Sequence, residues 1–171
     1  LGTGLEPVKV PVEQLELESP IAAMQFVRND CLVVAMADRS MHILSILPTD
    51  KAGEEQRGSV EQILRRSTDE PSGSSSLLPP HWIVVGTDGE WFATLCNGLE
   101  ESGGKVNVYR KNDGENAFQF WWTLPHLGSS VTAVSFLAGK TPRIAVACVN
   151  FALYVFDIFN RCLSEWSEQA G

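Results

Sequence analysis

The sequence lacks the features that mark a membrane or secreted protein. It contains no uninterrupted apolar run of about 18 residues, which disfavours a membrane-spanning helix, and no pattern typical of a secretory signal peptide. Its four cysteines include no C-x-x-C pair and are too scattered for a zinc knuckle. We therefore expect buried, reduced thiols and an intracellular protein that does not interact with a membrane.

The sequence also lacks the common catalytic motifs. No H-x-x-x-H or G-x-S-x-G occurs, and the three histidines are far apart. The stretch GLEESGGK at 98–105 departs from a phosphate-binding loop, because Gly104 is an extra glycine and Val106 follows the lysine. Acidic residues near 88–101 do not have the regular spacing of a calcium loop. These absences predict a protein without enzymatic activity, cofactor, metal or small-molecule substrate.

Positive charge is scarce relative to negative charge. The chain has 13 Lys and Arg residues against 21 Asp and Glu residues, which gives a formal net charge of -8. Affinity for nucleic acids comes mostly from Lys and Arg, so this balance argues against a broad phosphate-binding face. A local basic patch stays possible.

An internal repeat is the strongest positive feature of the sequence. IAAMQF at 21–26 matches VTAVSF at 131–136, and LVVAMADRSMHILSI at 32–46 aligns without a gap to IAVACVNFALYVFDI at 144–158. A third copy, beginning WIVVGTDGEWFATL at 82–95, lies between them. Each copy alternates apolar and polar residues between turn signals, which predicts a series of short antiparallel strands.

The repeats predict an all-β fold of the WD-repeat β-propeller type. We expect the whole chain, 1–171, to be the C-terminal part of a propeller, because about three blades cannot close a ring that needs about 4–8. The missing blades would belong to a longer protein or to another chain. Chance alternation in an unrelated β-sandwich is the alternative. The predicted blades are 20–47, 80–124 and 129–167, with the fourth strand of a preceding blade at 8–17 and a mobile insertion at 48–79.

Two local interpretations refine this picture. Within the insertion, Val60, Ile63 and Leu64 have the i, i+3, i+4 spacing of a short helix. In the turns before the third strands, short polar side chains can bond neighbouring backbone N–H groups. The residues predicted to have this structural role are Asp38, Asn150 and Asn97.

The repeats resemble degenerate WD repeats, in which neither the Trp-Asp nor the Gly-His dipeptide is present. From 105 to 167 the chain is similar to the late repeats of the cirhin family, WD-repeat proteins associated with the U-three small nucleolar RNA. The likeness consists of WTLP at 122–125 before VTA, the strand YVFD at 154–157, and SEWS at 164–167. It departs at Glu168, where a basic residue is expected, and this puts a basic contact at that point in doubt.

The resemblance implies a scaffold subunit of the small-subunit processome in the nucleolus. Its partners would be other WD-repeat subunits, in a complex on the 5′ region of the pre-ribosomal RNA. Whether the subunit contacts the 5′ external transcribed spacer directly stays open. Such a subunit supports pre-rRNA processing and 40S ribosome biogenesis. A WD-repeat adaptor in ubiquitin ligation, membrane traffic or chromatin is the alternative. An enzyme built on a propeller is disfavoured, because channel-side positions are mostly small or apolar.

A few surface residues are candidates for partner binding or modification. Four aromatic residues occupy five positions between 118 and 122, so alternate side chains either pack between blades or point outward as interface anchors. The candidate partner-binding residues are Trp121, Trp122 and Trp166. Ser67 follows two arginines and is a candidate phosphorylation site, with an unmodified soluble loop as the alternative.

Overall fold

A computed structural model describes residues 19–47, 59–67, 77–98, 104–112 and 118–164 of the chain. All regular secondary structure in these ranges is β-strand, so the predicted all-β class is confirmed. Across the described ranges no helix is long and apolar enough to cross a membrane. The strand predicted at 8–17 and the candidate anchor Trp166 lie outside the described residues.

The strands form three separate four-stranded antiparallel sheets, and in each the strands pair in chain order. The first sheet contains β1 Ile21–Arg28, β2 Cys31–Met36, β3 Ser40–Leu47 and β4 Ser59–Ser67. The middle sheet contains β5 Leu77–Val85, β6 Trp91–Gly98, β7 Lys105–Lys111 and β8 Phe118–Thr123. The last sheet contains β9 Val131–Leu137, β10 Arg143–Cys148, β11 Leu153–Asp157 and β12 Cys162–Leu163.

The first sheet corrects the interpretation of 48–79 as a mobile insertion with a short helix. This segment contains β4, which pairs with β3 from Leu47↔Ser59 to Ser40↔Ser67, and it also contains the start of β5. The pairing shifts register between Ile43 and Leu44, where a bulge adds one residue to β4. The extra residue breaks the alternation of apolar residues, and the resulting spacing imitates that of a helix.

The first and middle sheets pack face to face through an apolar layer. Phe92 of the middle sheet is fully buried. Its ring stacks on Tyr109 with centroids 4.7 Å apart and meets the edge of Phe118 at 5.0 Å. The first sheet covers these rings with smaller side chains, namely Val27, Cys31, Val33, Ala35, Met41 and Ile43.

The middle and last sheets pack through a second layer on the opposite face of β6. Because side chains alternate along a strand, Trp91, Ala93 and Leu95 point away from Phe92 and toward the last sheet. The last sheet contributes mainly Val134, Ile144, Val146, Phe156 and Ile158. The middle sheet is thus buried on both faces. At the edges of the three sheets, β1 lies beside β5, and β5 lies beside β9.

Candidate interaction surfaces

Three hairpin turns share one backbone shape. In each, the third residue of the loop has a positive φ: 70° at Arg39, 69° at Gly89 and 65° at Phe151. The N–H of that residue donates to the carbonyl three positions earlier, over 3.0 to 3.1 Å. This is the shape of a type I turn followed by a left-handed residue. For a residue other than glycine, the left-handed conformation costs about 1–2 kcal/mol.

A short polar side chain closes each of these turns. Asp38 Oδ1 accepts from the N–H of Ser40 at 2.8 Å, and Asn150 Oδ1 accepts from the N–H of Ala152 at 3.2 Å. Asp88 makes the same contact with the N–H of Glu90 at 3.0 Å. The side chain of Asn97, the third residue for which sequence indicates this role, lies outside the described side chains.

Asp38, Ser40 and His42 form a hydrogen-bonded chain whose order differs from that of a catalytic triad. The Ser40 hydroxyl donates to Asp38 Oδ1 at 2.6 Å and lies 3.2 Å from Nε2 of the buried His42. A nucleophilic serine needs the imidazole between itself and the carboxylate. Here the serine is in the middle and buried, so this arrangement stabilises the turn and the start of β3.

We expect Asp38→Ala to destabilise the fold more than Asn150→Ala. Asp38 bonds both the backbone and the hydroxyl of Ser40, and its loss leaves a buried hydroxyl with one partner fewer. The free energy of unfolding should fall by about 1–2 kcal/mol for Asp38→Ala and by about 0.5–1 kcal/mol for Asn150→Ala. Urea titrations of both variants measure the difference, and equal losses would contradict the role given to Ser40.

Trp121 and Trp122, the described candidates for partner binding, lie half-buried between the middle and last sheets. Trp121 Nε1 donates to the carbonyl of Ile158 at 2.7 Å, and its ring meets Trp91 edge-on with centroids 5.7 Å apart. Trp122 meets Phe156 edge-on at 5.9 Å. Both indoles therefore join two sheets of this chain.

Two arginines surround Trp121 and extend this cluster to the surface. The guanidinium carbons lie 5.5 Å from its ring centroid for Arg110 and 4.4 Å for Arg161, which are cation–π distances. The turn that presents Arg161 is fixed by Asp157, which accepts from the N–H of Asn160 at 2.9 Å. That hydrogen bond lowers the pKa of the Asp157 carboxyl, so the turn is held by a carboxylate at neutral pH.

The buried cysteines do not have the environment of reactive nucleophiles. Burial raises the pKa of Cys96 to about 11 and also raises the pKa values of Cys31 and Cys148. A reactive cysteine needs a lowered pKa, because the thiolate is the nucleophile. All four cysteines are free thiols, and Cys162 is exposed.

The described part of the chain carries more positive than negative charge. Ten of the 13 Lys and Arg residues lie in the described ranges, but only six of the 21 Asp and Glu residues do. The net charge of the whole sequence therefore does not represent the charge of the three sheets.

Comparison with known proteins gives no identification. No protein-family model matches this chain, and no curated protein matches it significantly. Within the described ranges, no group of three His, Cys, Asp or Glu side chains could hold a metal ion. The inference of function therefore starts from the exposed residues of the three sheets.

The outer face of the last sheet is a shallow apolar hollow of about 400 Å³, lined by Leu137, Arg143, Ala145, Leu153 and Val155. Leu153 is 41% exposed. The internal repeat aligns Ala145, Leu153 and Val155 with Val33, Met41 and Ile43. Those residues of the first sheet are buried under the middle sheet. The outer face of the last sheet therefore corresponds to a face of the first sheet that the middle sheet covers.

Several exposed apolar residues were not recognised in the sequence as surface features. Phe26, Phe151 and Phe159 are each at least 50% exposed. An apolar residue within an alternating run indicates the core, so periodicity alone does not find them. For Phe151 the repeat offers a signal, because its aligned partner in the first sheet is Arg39, a charged turn residue.

Proposed function

We propose that this chain is a segment of a WD-repeat β-propeller and acts as a non-catalytic scaffold. The observation that carries the proposal is the position of the first strands: β1 lies beside β5 and β5 beside β9, although each belongs to a different sheet. Propeller blades place their innermost strands around a common axis in this way. A β-sandwich has two packed layers, whereas here three sheets pack in succession.

The exposed face of the last sheet supports a propeller that continues beyond these three blades. In the first sheet, the residues aligned with this face receive Phe92, Tyr109 and Phe118 of the neighbouring sheet. The corresponding face of the last sheet is also lined by small and medium apolar side chains, Ala145 and Val155 among them. The covering element we propose is therefore a further four-stranded sheet with a bulky, aromatic inner face.

We propose the small-subunit processome as the assembly and the nucleolus as the location. The support is the resemblance to the cirhin family over 105–167, the part of the chain that includes β7 to β12. Other WD-repeat subunits are the proposed partners. Direct contact with the 5′ external transcribed spacer of the pre-rRNA is a further part of this proposal, and it is supported only by the same resemblance.

Affinity purification of the full-length protein from cells tests this proposal, with mass spectrometry and RNA sequencing of what is recovered. We expect processome WD-repeat subunits and the 5′ external transcribed spacer to be enriched. Recovery of ubiquitin-ligase, coat or chromatin subunits in their place would contradict the processome assignment and leave a WD-repeat adaptor. Recovery of no stable partner would contradict the scaffold role.

A pair of charge variants links the recovered partners to the exposed sheet face. Leu153→Arg places a charge on this face, and Thr87→Arg places the same charge on an exposed turn of the middle sheet. If a sheet covers Leu153 in the assembly, Leu153→Arg should reduce partner recovery and Thr87→Arg should not. Equal recovery with both variants would show that the face is not covered.

A further inference from the structure

The turn between β11 and β12 carries an arginine and a phenylalanine that are exposed and also contact the middle sheet. Arg161 is exposed, and Phe159 is 54% exposed. The Phe159 ring stacks on Trp121 with centroids 6.3 Å apart, and the Arg161 guanidinium lies over the same indole. Arg110 approaches this ring from β7, so two positive charges meet at one indole. We call Arg161, Phe159 and Trp121 the Arg161 cluster.

A further sheet packed on the last sheet does not account for the exposure of the Arg161 cluster. The hollow that such a sheet would cover contains Leu153 and Val155, on the face of the last sheet that points away from the middle sheet. The Arg161 cluster instead packs on Trp121, which belongs to the middle sheet. We therefore expect this cluster to stay exposed when the hollow is covered.

The backbone holds Arg161 in place before any partner binds. Its turn is tied to the middle sheet, because Trp121 Nε1 donates to the carbonyl of Ile158 at 2.7 Å. Asp157 closes the turn by accepting from the backbone and side-chain N–H groups of Asn160, at 2.9 and 2.8 Å. Arg161 itself has a φ of 56°, in the left-handed region that residues with a side chain rarely adopt. Such preorganisation reduces the conformational entropy that is lost on binding.

The charge of Arg161 is not balanced by an ion pair in the described part of the chain. Arg28 pairs with Asp30 at 3.8 Å and Lys111 pairs with Glu90 at 3.5 Å, but among the described residues Arg161 has no such partner. The one carboxylate in its own turn accepts the hydrogen bonds that close that turn. An arginine that stacks on an aromatic ring can still bind a carboxylate through two parallel hydrogen bonds, because its N–H groups lie at the edge of the plane.

We propose that the Arg161 cluster binds an acidic peptide segment of a partner protein, with an Asp or Glu carboxylate on the guanidinium and an apolar side chain against Phe159. Arginine and tryptophan are enriched among the residues that dominate protein interfaces. A nucleic acid is less suitable, because a polyanion needs several unbalanced positive charges. Two basic residues at this end of the sheets, Arg28 and Lys111, are already paired. The proposal rests on the scaffold role but not on the processome assignment.

The first test identifies what the cluster contacts. p-Benzoylphenylalanine in place of Phe159 is irradiated in the full-length protein within its purified assembly, with the exposed Thr87 as the control position. We expect a cross-link to one partner protein, in a segment that contains Asp or Glu. A cross-link to RNA or to a segment without acidic residues would overturn the proposal, and so would a yield no higher than at Thr87.

The second test reverses the charge at two exposed positions of the last sheet, Arg161→Glu and Lys140→Glu. Only Arg161→Glu should weaken binding of the cross-linked protein, with the Kd rising by about tenfold or more. Replacing the acidic residue of the cross-linked segment with lysine should restore binding to Arg161→Glu, which a general loss of fold would not allow. Equal Kd values for the two variants would overturn the proposal.

The outcome is distinguishable from failure of the scaffold role. Partner recovery with the unmodified chain tests that role, and Leu153→Arg tests the opposite face of the last sheet. If partners are recovered and Arg161→Glu binds them as tightly as Lys140→Glu does, the proposed acidic site is wrong and the scaffold role stands.

Discussion

Phe92→Ala should lower the free energy of unfolding by about 3–5 kcal/mol, the range typical of a fully buried phenylalanine. Phe92 has no exposed surface, and its ring contacts both Tyr109 and Phe118. The substitution leaves a cavity in the layer between the first and middle sheets. Close-packed cores relax only partly around such cavities, so little of the loss is recovered. Urea unfolding of the purified chain measures the effect.

Phe120→Ala is the matched control for this prediction. Phe120 is 44% exposed and belongs to the same sheet, where it meets Tyr109 edge-on at 5.9 Å. Its removal should cost about 1 kcal/mol, because less apolar area leaves contact with the protein. If the two variants lost equal stability, Phe92 would not hold the two sheets together as described.

Trp121→Ala should have a comparable effect at the other layer, about 3–5 kcal/mol. The indole fills the space against Trp91, and its N–H reaches the backbone of the turn after β11. Arg110 and Arg161 lose the ring on which they pack. The expected result is a less stable contact between the middle and last sheets. The same urea titration measures it, and hydrogen exchange would locate the loss of protection in the last sheet.

Trp121→Phe separates the hydrogen bond from the packing. Phenylalanine keeps most of the apolar contact but cannot donate to the carbonyl of Ile158, a fully buried residue. Leaving that carbonyl without its donor should cost about 1–3 kcal/mol. A loss as large as that of Trp121→Ala would assign the whole effect to the hydrogen bond. No loss would mean that the bond is unimportant to the fold.

The sequence predicts those parts of the fold that depend on local pattern. Alternation between turn signals identifies the first three strands of each sheet, because both period and turn chemistry act over a few residues. One of these turns contains Asp88 and Gly89 between β5 and β6, and Gly89 has the positive φ of 69° that such a turn needs. The prediction fails at β4, because the bulge opposite Ile43 and Leu44 disrupts the period on which it depends.

The candidate surfaces are less predictable, because they depend on which faces other sheets cover. The aromatic run at 118–122 predicts that bulky side chains point alternately to the two faces of a strand. Only the packing of the sheets shows that Trp121 and Trp122 lie between the middle and last sheets. For Phe151 the neighbouring apolar residues suggest a buried position, whereas its alignment with the turn residue Arg39 suggests a surface one. The structure places it at the exposed tip of a turn.

The most direct test of the propeller account is a cryo-EM map of the full-length protein in its purified assembly. The account predicts four-stranded sheets arranged around one axis, with β1, β5 and β9 innermost. It also predicts a further sheet packed over Leu137 and Leu153, which are 36% and 41% exposed in this chain. A map in which these residues face solvent, or in which the three sheets share no axis, would contradict it.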